Sequence, residues 1–317
     1  MTSFRWLTPA DGEDDHGPSA RLQGKVSHME RIGAMYLLRL RIPGWQTAGA
    51  GQFAMLQAGV SNCFLPRAFS IHEEQPPAPG DPEQAYEVGF LMAPVGPGTE
   101  ELSELQVGDA AGVLGPLGTG FDLEELSGGN RLVVVAGGVG AAPFPLLLER
   151  LAGAQPRPRE ILLLLGFRDG VQAEAVHVFS ESVTRLRRLG IPTHVELISE
   201  AGDTGRSGLV TELLREELGA GDRLVVCGAH AMCEAVWDVC LDFLERTGPV
   251  AEGPGTGVPA WFSLEAGMAC GTGSCQGCVI EIADGSLAKV CRQGPVFSGA
   301  EAFGHRRHPC ALPEKEG

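Results

Sequence analysis

Long apolar segments are missing from this sequence of 317 residues, although 44% of the residues are hydrophobic. No run approaches the roughly 18 apolar residues that a membrane span requires, so we expect no membrane span. The N-terminus, MTSFRWLTPADGEDDHG, also lacks the basic start and apolar middle of a signal peptide. These absences predict a cytoplasmic location, where thiols stay reduced.

Clusters of positive charge are missing as well. Lys and Arg total 24 against 40 Asp and Glu, which gives a formal net charge of -16 at pH 7. A field of this sign repels phosphate backbones and predicts that nucleic acid is not a partner. We interpret the acidity itself as a contribution to solubility.

Short β-type segments with turn residues between them begin at residue 20 and continue to about residue 114. Several of them, such as AMYLLRLRI, alternate apolar and polar residues, as half-buried antiparallel strands do. About six such segments predict a small antiparallel sandwich or barrel. The Pro-rich insert EEQPPAPGDPEQA (73–85) predicts an exposed hairpin loop.

Continuous apolar runs alternate with helical patterns after Gly120. The runs LVVVA, ILLLLGF and RLVVCG are apolar on both faces, and such strands belong to parallel sheets covered by helices. The fold class is therefore β + α/β, with a doubly wound α/β domain in the second half. The predicted order is a flexible leader (1–18), an antiparallel β-barrel (19–122), the α/β domain (123–247), a linker (248–260) and a cysteine module with a tail (261–317).

Four of the nine cysteines are crowded into ACGTGSCQGCVIEIADGSLAKVC, with the pattern C-x4-C-x2-C-x12-C. Clustered thiols in a reducing compartment indicate a metal centre or redox chemistry rather than disulfides. The first three have the spacing of plant-type [2Fe–2S] centres, and the fourth follows a predicted hairpin around Asp284-Gly285. The predicted cluster ligands are Cys270, Cys275, Cys278 and Cys291. A structural zinc site is the alternative, although zinc loops more often contain two C-x2-C pairs.

The other five cysteines share no spacing. Three of them lie in or beside apolar strand and helix segments, and we interpret Cys227, Cys233 and Cys240 as small buried hydrophobic residues. No role is assigned to these three, to Cys63 or to Cys310.

The segment AGGVGAAPF has the context of a phosphate-binding turn, because it follows a buried strand and opens a helix. The N-terminus of a helix attracts a pyrophosphate, so Gly137, Gly138 and Gly140 are candidates for binding a dinucleotide. The third glycine of the usual fingerprint is replaced by alanine. Glycines at strand–helix turns often serve packing alone, which is the alternative interpretation.

A second set of candidates lies in the β-rich half. In the strand PRAFSIH, Arg67 and Phe69 share one face and Ser70 points to the other. In PVGPGTEEL, Gly98 and Thr99 stand just before a helix-like turn, which is a further candidate anion site. Taken singly, such an arginine is typical of a surface salt bridge and such a phenylalanine of a core. The combination favours a bound phosphate-containing ligand.

Together these motifs resemble the ferredoxin–NADP⁺ reductase superfamily. RAFS is similar to its flavin-binding signature R-x-[YF]-S, GPGT to its pyrophosphate turn, and AGGVGAAPF and CGAHAMC to its nicotinamide-binding segments. Within the superfamily, the domain order and the closing SLEAGMACGTGSCQGCVIEI…KVCRQGPVF resemble the electron-transfer subunits of dihydroorotate dehydrogenase B. Ala68 and Ala229 stand where the family usually has proline, and Gly267 where it often has arginine.

The resemblance implies three cofactors, which are FAD, one [2Fe–2S] cluster and NAD. Arg67 would bind the flavin pyrophosphate, Phe69 would pack on the isoalloxazine, and Ser70 would hydrogen-bond near its reactive nitrogen. The other implied flavin contacts are Ala68, Leu91, Met92, Ala93, Gly98 and Thr99. The cysteines 270, 275, 278 and 291 would hold the cluster.

The resemblance also implies an NAD-linked oxidoreductase subunit of pyrimidine biosynthesis. A catalytic dihydroorotate dehydrogenase subunit, in a heterotetramer, would oxidise dihydroorotate, and electrons would pass through [2Fe–2S] and FAD to NAD⁺. The cofactors supply this chemistry, so no residue of the chain is needed as a general base. The residues themselves give no preference for NAD⁺, because Arg168 suits a 2′-phosphate and Asp169 a free ribose.

Two other functions are compatible with parts of the sequence. A stand-alone NAD(P)H-dependent iron–sulfur flavoprotein reductase would have the same architecture and serve another redox partner. A zinc-stabilised binding module would use the four cysteines without redox chemistry. Bound flavin and iron would separate either redox function from the zinc module.

Overall fold

The computed structural model of the chain describes residues 21–128, 131–247 and 258–304. The predicted leader, most of the predicted linker and Cys310 lie outside these ranges. Within them, no helix is long and apolar enough to cross a membrane. The described strands form two seven-stranded sheets and one two-stranded hairpin.

The first part of the described chain is an antiparallel sheet with one short helix. Its elements are β1 (Arg21–Ile32), β2 (Met35–Pro43), β3 (Phe53–Ala58), β4 (Arg67–Ser70), β5 (Glu73–Gln75), β6 (Ala85–Met92), α1 (Pro97–Ser103) and β7 (Ala110–Leu117). The strands lie in the order β4-β3-β7-β1-β2-β6-β5. Every second residue of β7 is buried, which is the alternation expected of a strand with one face on a core.

The Pro-rich segment 73–85 differs from its prediction, because its first three residues form β5 and pair with β6. Glu74 in β5 is only 3% exposed. Its carboxylate accepts hydrogen bonds from Trp45 Nε1 at 2.6 Å and from the Ala48 N–H at 2.9 Å, and it forms an ion pair with Arg150. These partners compensate for removing a charge from water, and they come from segments distant in sequence.

The next part of the chain alternates strands and helices, as the sequence predicts. Its elements are α2 (Leu123–Ser127), β8 (Arg131–Gly137), α3 (Phe144–Gly153), β9 (Ile161–Phe167), α4 (Gly170–Ala173), α5 (Ser180–Arg188), β10 (Thr193–Ser199), β11 (Arg206–Ser207), α6 (Val210–Glu217), β12 (Asp222–Cys227) and α7 (His230–Thr247). Strands β8 and β9 are buried along nearly their whole length. Burial on both faces explains why their sequences are continuous apolar runs.

The last part of the described chain contributes to the same sheet. Its elements are β13 (Ala260–Ser263), β14 (Val279–Glu281), β15 (Leu287–Lys289), β16 (Val296–Ser298) and α8 (Gly299–Phe303). The second sheet has the order β11-β10-β9-β8-β12-β13-β16, and only β16 is antiparallel to its neighbour. This sheet therefore contains residues from both sides of the predicted linker, and the domain limits stay a prediction. Strands β14 and β15 form the predicted hairpin at Asp284-Gly285.

Three cysteines belong to the core of the second sheet, which confirms their interpretation as buried hydrophobic residues. Cys227 ends β12, and Cys233 and Cys240 lie on the buried stripe of α7 together with Val236. Burial raises the pKa of Cys227 well above its usual value and the pKa values of Cys233 and Cys240 to about 12. These thiols therefore stay protonated and unreactive at neutral pH.

Candidate functional site

The predicted flavin signature forms the edge strand β4 of the first sheet. Its residues pair with β3 in antiparallel register, with Leu56 opposite Arg67 and Phe53 opposite Ser70. All four residues of β4 are half-buried. An edge strand leaves one side without a neighbouring strand, so this signature is accessible to a ligand.

Arg67 lies against the start of α1. Its Nη1 donates to the carbonyl oxygen of Leu65 at 2.5 Å. A Cβ atom on Gly98 would lie 2.7 Å from the guanidinium carbon of Arg67, so only glycine allows this approach. The guanidinium and the first turn of the helix thus form one positive cradle that a pyrophosphate fits.

Thr99 shapes the turn before α1 more than it faces a ligand. Its Oγ1 accepts from the N–H groups of Val95 at 2.9 Å and Gly96 at 3.1 Å, and it donates to the Gly96 carbonyl at 2.8 Å. Thr99 is 8% exposed. The hydroxyl is therefore engaged within the turn, and it orients Gly98 against Arg67.

The predicted flavin-lining segment lies at the end of β6. Leu91 and Met92 are 1% and 0% exposed, and they stand opposite Leu37 and Tyr36 in β2. Ala93 follows the strand and is half-buried. Because the side chains of Leu91 and Met92 are in the core, these two residues can meet a ligand only through their backbone groups, and their contact with a flavin stays a prediction.

The glycine turn after β8 is packed tightly against β12 and the start of α7. A Cβ on Gly140 would lie 2.3 Å from the carbonyl oxygen of Cys227, and one on Gly137 would lie 2.4 Å from Met232 Sδ. Gly138 has a φ of +55°, in the left-handed region that favours glycine. These glycines thus allow close packing, and this packing holds the turn beside the segment CGAHAMC.

Arg168 and Asp169 follow β9 at the carboxyl end of the parallel sheet. Arg168 Nε lies 3.0 Å from Asp169 Oδ2, and Asp169 also caps α4 by accepting from the Gln172 N–H at 2.9 Å. The Gln172 hydrogen bond and then the Arg168 contact lower the pKa of Asp169. The only cation at this corner that the sequence singled out is therefore already paired with a carboxylate.

His72 joins the flavin strand to the nicotinamide turn, and no role was predicted for it. It lies two residues after Ser70, its backbone N–H donates to the Gly89 carbonyl, and its Nδ1 lies 2.8 Å from the Ala142 carbonyl oxygen. The side chain is 2% exposed. A single histidine after the flavin signature is the only sequence signal for this contact, and such a signal does not identify the partner.

The cysteine loop directs backbone N–H groups at sulfur. Cys270 Sγ accepts from the N–H groups of Thr272 and Cys275, both at 3.4 Å. Cys275 Sγ accepts from the Gly277 N–H at 3.4 Å. Cys278 is 2% exposed, whereas Cys275 is exposed. Backbone donors of this kind stabilise the negative charge of thiolate ligands.

The thiols differ in acidity. Partial burial opposes ionisation of Cys270, but the N–H groups of Cys275 and Thr272 outweigh it and lower its pKa to about 6. Burial and contact with Cys278 raise the pKa of Cys291 to about 12. Among the described residues, no three His, Cys, Asp or Glu side chains converge on a site for one metal ion. The donor set itself fits a [2Fe–2S] cluster, because such a cluster is held by four cysteine thiolates and this loop supplies four cysteines.

The cysteine loop contacts the first sheet beside the predicted flavin signature. A Cβ on Gly271 would lie 2.7 Å from Met55 Cγ and 2.9 Å from Leu117 Cδ1. Met55 stands opposite Ala68 in the β3–β4 register. Neighbouring strands are about 4.8 Å apart, so the same side chain of β3 is next to both the cysteine loop and the flavin signature.

Comparison with known proteins supports a ferredoxin–NADP⁺ reductase type of fold. The solved structure of an NADH-dependent reduced ferredoxin–NADP oxidoreductase matches with a TM-score of 0.64 and 23% identity, covering 90% of each chain. A ferredoxin NADP⁺ reductase from Neisseria gonorrhoeae, solved with bound FAD and NADP, matches with a TM-score of 0.57 and 18% identity, covering 76% of this chain and 96% of that one. The predicted fold class is thereby confirmed.

Family models match two parts of the chain. The model described as the iron–sulfur cluster binding domain of dihydroorotate dehydrogenase B matches residues 265–302, and the oxidoreductase NAD-binding domain matches residues 134–238. The first match contains all four predicted cluster ligands. The second contains the glycine turn.

Curated relatives extend the likeness over most of the chain. The dihydroorotate dehydrogenase B (NAD⁺) electron transfer subunit of Clostridium perfringens is 31% identical over 282 residues, which cover 88% of this chain and 96% of the relative. That of Caldanaerobacter subterraneus is 30% identical over 256 residues, covering 80% and 86%. The chain belongs to the family of dihydroorotate dehydrogenase B electron-transfer subunits, as its motifs predict.

Proposed function

We propose that this chain takes electrons from a catalytic subunit that oxidises dihydroorotate and delivers them, by way of a [2Fe–2S] cluster and FAD, to NAD⁺ in pyrimidine biosynthesis. The observation that carries the proposal is the position of Met55, which contacts the cysteine loop at Gly271 and pairs with Ala68 of the flavin signature. A relay requires its redox groups to be adjacent, and one strand of the barrel brings their binding segments together.

The residues of the chain hold and orient the cofactors. FAD exchanges hydride with a nicotinamide and single electrons with an iron–sulfur centre, and that chemistry belongs to the cofactors. Arg67 and Gly98 hold the flavin pyrophosphate, and Phe69, Ser70 and the backbone of residues 91–93 contact the isoalloxazine. The cluster ligands are the four cysteines of the loop. The glycine turn 137–140 faces the dinucleotide.

NAD⁺ is the proposed dinucleotide. Arg168, the cation that suits a 2′-phosphate, is engaged by Asp169 at 3.0 Å. Asp169 stands at the end of a parallel strand, where a carboxylate can accept a hydrogen bond from a free ribose hydroxyl. The relatives that cover most of this chain carry NAD⁺ in their names.

The partner is a catalytic dihydroorotate dehydrogenase subunit, and the assembly is a heterotetramer located in the cytoplasm. Both relatives are named electron transfer subunits, and such a subunit acts together with a catalytic one. The exposed Cys275 supports this proposal, because it places one edge of the cysteine loop where a partner can approach.

Isolation of the native complex under anaerobic conditions tests the proposal. We expect a second polypeptide that oxidises dihydroorotate, together with iron, acid-labile sulfide and FAD. A chain that reduces acceptors with NADH but binds no such subunit would be a stand-alone reductase. Zinc in place of iron and sulfide would contradict the proposal and indicate a structural module.

The Cys275→Ser variant tests the route within the complex. Oxidation of NADH by a small dye should persist through FAD, whereas transfer of electrons from dihydroorotate to NAD⁺ should stop. Cys63→Ser, which changes a half-buried cysteine outside the loop, is the matched control and should retain both activities. Survival of both activities in Cys275→Ser would show that the route avoids the cluster.

A further inference from the structure

Four exposed apolar residues, here called the apolar patch, lie in the loop before Arg67 and in the loop before α1, and they have no role in the function described so far. The apolar patch consists of Val60, Phe64 and Val95, which are 97%, 87% and 85% exposed, and of Leu65 at 42%. Phe64 is the only aromatic side chain in the described ranges that is exposed. An exposed aromatic ring beside a candidate nucleotide site indicates a binding surface.

The backbone beneath Phe64 is fixed, although its ring is in solvent. Gln57 Nε2, from β3, donates to the carbonyl oxygens of Cys63 at 2.6 Å and Phe64 at 3.4 Å. The Asn62 N–H donates to Glu101 Oε1 of α1 at 3.0 Å, and the Ser61 hydroxyl also donates to Glu101. These bonds attach the loop to two elements of the barrel, so the backbone that carries the ring is held in a defined position. A loop that is already ordered loses little backbone freedom when a ligand stacks on its ring.

The order of residues along the strand matches the order of groups along FAD. Ser70 is expected at the isoalloxazine and Arg67 at the pyrophosphate, and a strand of three residues covers about 10 Å. Phe64 lies three residues before Arg67, in the loop that leads into β4. The Arg67 side chain reaches back toward this loop, because its Nη1 donates to the Leu65 carbonyl oxygen. A flavin pyrophosphate held there leaves its adenosine half on the side of Phe64, away from Ser70.

Val95 lies on the second loop that borders the cradle. It directly precedes the turn that brings Gly98 against Arg67, and its N–H is fixed by Thr99 Oγ1 at 2.9 Å. Val95 therefore lies on the loop that leads into the cradle, whereas Phe64 lies on the loop that leads into β4. A flat apolar base fits between an aromatic face and an aliphatic side chain, and base–aromatic stacking does not depend on polar groups.

We propose that Phe64 is the stacking platform for the adenine of FAD, with Val60 and Val95 beside it, and that this patch makes the chain select FAD over FMN. The inference rests on the proposed function, since it requires that a flavin binds at β4. It assigns the patch to the cofactor instead of to the catalytic subunit. FMN lacks the adenosine half, so it serves as the comparison ligand.

The test is the binding of FAD and of FMN to the full chain after removal of its flavin, measured by equilibrium dialysis. Phe64→Ala should weaken FAD binding by about 10- to 100-fold, which is the usual effect of removing one stacking aromatic, and should leave FMN binding unchanged. Phe64→Tyr keeps a ring face and should retain FAD affinity. Val107→Ala, at an apolar residue 69% exposed outside the patch, should change neither affinity.

Three results would overturn the inference. Equal losses of FAD and FMN affinity in Phe64→Ala would mean that the loop only supports Arg67. Unchanged FAD affinity together with release of the catalytic subunit would assign the patch to that partner. A wild-type chain that binds neither flavin would refute the proposed function. If the wild-type chain binds FAD and the Phe64→Ala variant binds it with the same affinity, only this inference is refuted.

Discussion

The Nδ1 atom of His72 donates a hydrogen bond to the carbonyl oxygen of Ala142 across 2.8 Å. His72 follows the predicted flavin signature, and Ala142 belongs to the glycine turn that opens the predicted nicotinamide-binding part of the chain. The contact therefore fixes the position of the two predicted cofactor segments relative to each other. Its donor is an imidazole that is 2% exposed, so water does not compete for the bond.

Replacement of His72 by alanine should destabilise the chain. The variant leaves the Ala142 carbonyl without its donor and creates a cavity where the buried imidazole was. We expect a loss of about 2–4 kcal/mol in the free energy of unfolding, measured by urea denaturation. His28→Ala, at a histidine on the surface of β1, is the control and should change stability by less than about 0.5 kcal/mol.

The stability of the folded chain should depend on pH through His72. Burial lowers the pKa of His72 in the folded chain, so the unfolded chain binds a proton first as the pH falls. The contribution of His72 to the free energy of unfolding is therefore complete above about pH 6.5, which is the pKa of a histidine in the unfolded chain. This contribution declines as the pH falls below that value. His72→Gln should show a smaller loss of stability between neutral and mildly acidic pH than wild type. Equal pH profiles would contradict the assignment.

Arg150 should be essential for the burial of Glu74. Arg150→Met removes the cation from a carboxylate whose side chain is 2% exposed, and breaking a buried pair in this way costs about 3–5 kcal/mol. The exposed pair of Arg185 with Glu149 lies on the same domain at 3.5 Å. Arg185→Met should cost at most about 1 kcal/mol. Similar losses in the two variants, measured by urea denaturation, would contradict this account of Glu74.

Gly98→Ala should weaken flavin binding and leave the fold intact. The new Cβ would lie 2.7 Å from the Arg67 guanidinium, which must then leave the cradle. Loss of one charge-assisted contact to phosphate is worth about 1.5–3 kcal/mol, so we expect at least about a tenfold weaker affinity for both FAD and FMN. Gly153→Ala, where no atom lies within 4 Å of the new Cβ, is the control. Unchanged flavin affinity in Gly98→Ala would refute the cradle.

Gly271→Ala should impair assembly of the cluster. Gly271 has a φ of +71°, and its Cβ would meet Met55 and Leu117 at 2.7 and 2.9 Å. Gly285→Ala provides a matched control, because Gly285 has a φ of +82° but no atom within 4 Å. Alanine in the left-handed backbone region costs about 1 kcal/mol, and this cost applies to both variants. Iron and sulfide per chain should fall in Gly271→Ala only.

The fold class and the chemistry of the cysteine loop could be predicted from the sequence because they depend on local patterns. Alternation in AMYLLRLRI and continuous burial in ILLLLGF reflect the faces of single strands. The spacing of Cys270, Cys275 and Cys278 determines how a short loop can surround irons. The loop 59–66 was not singled out, because an exposed phenylalanine has no distinguishing pattern in the sequence.

The sequence alone determined the alternation of strands and helices outside β5, and it determined which residue types are available to each cofactor, because both follow from residues near one another in the chain. Only the tertiary structure decided that Glu74 is buried beside Arg150, that His72 reaches Ala142, and that Met55 lies between the cysteine loop and β4. The contacts of Glu74 with Arg150, of His72 with Ala142 and of Met55 with Gly271 each join residues separated by 70 or more positions. Their partners are fixed by how whole sheets pack, and no local pattern carries that information.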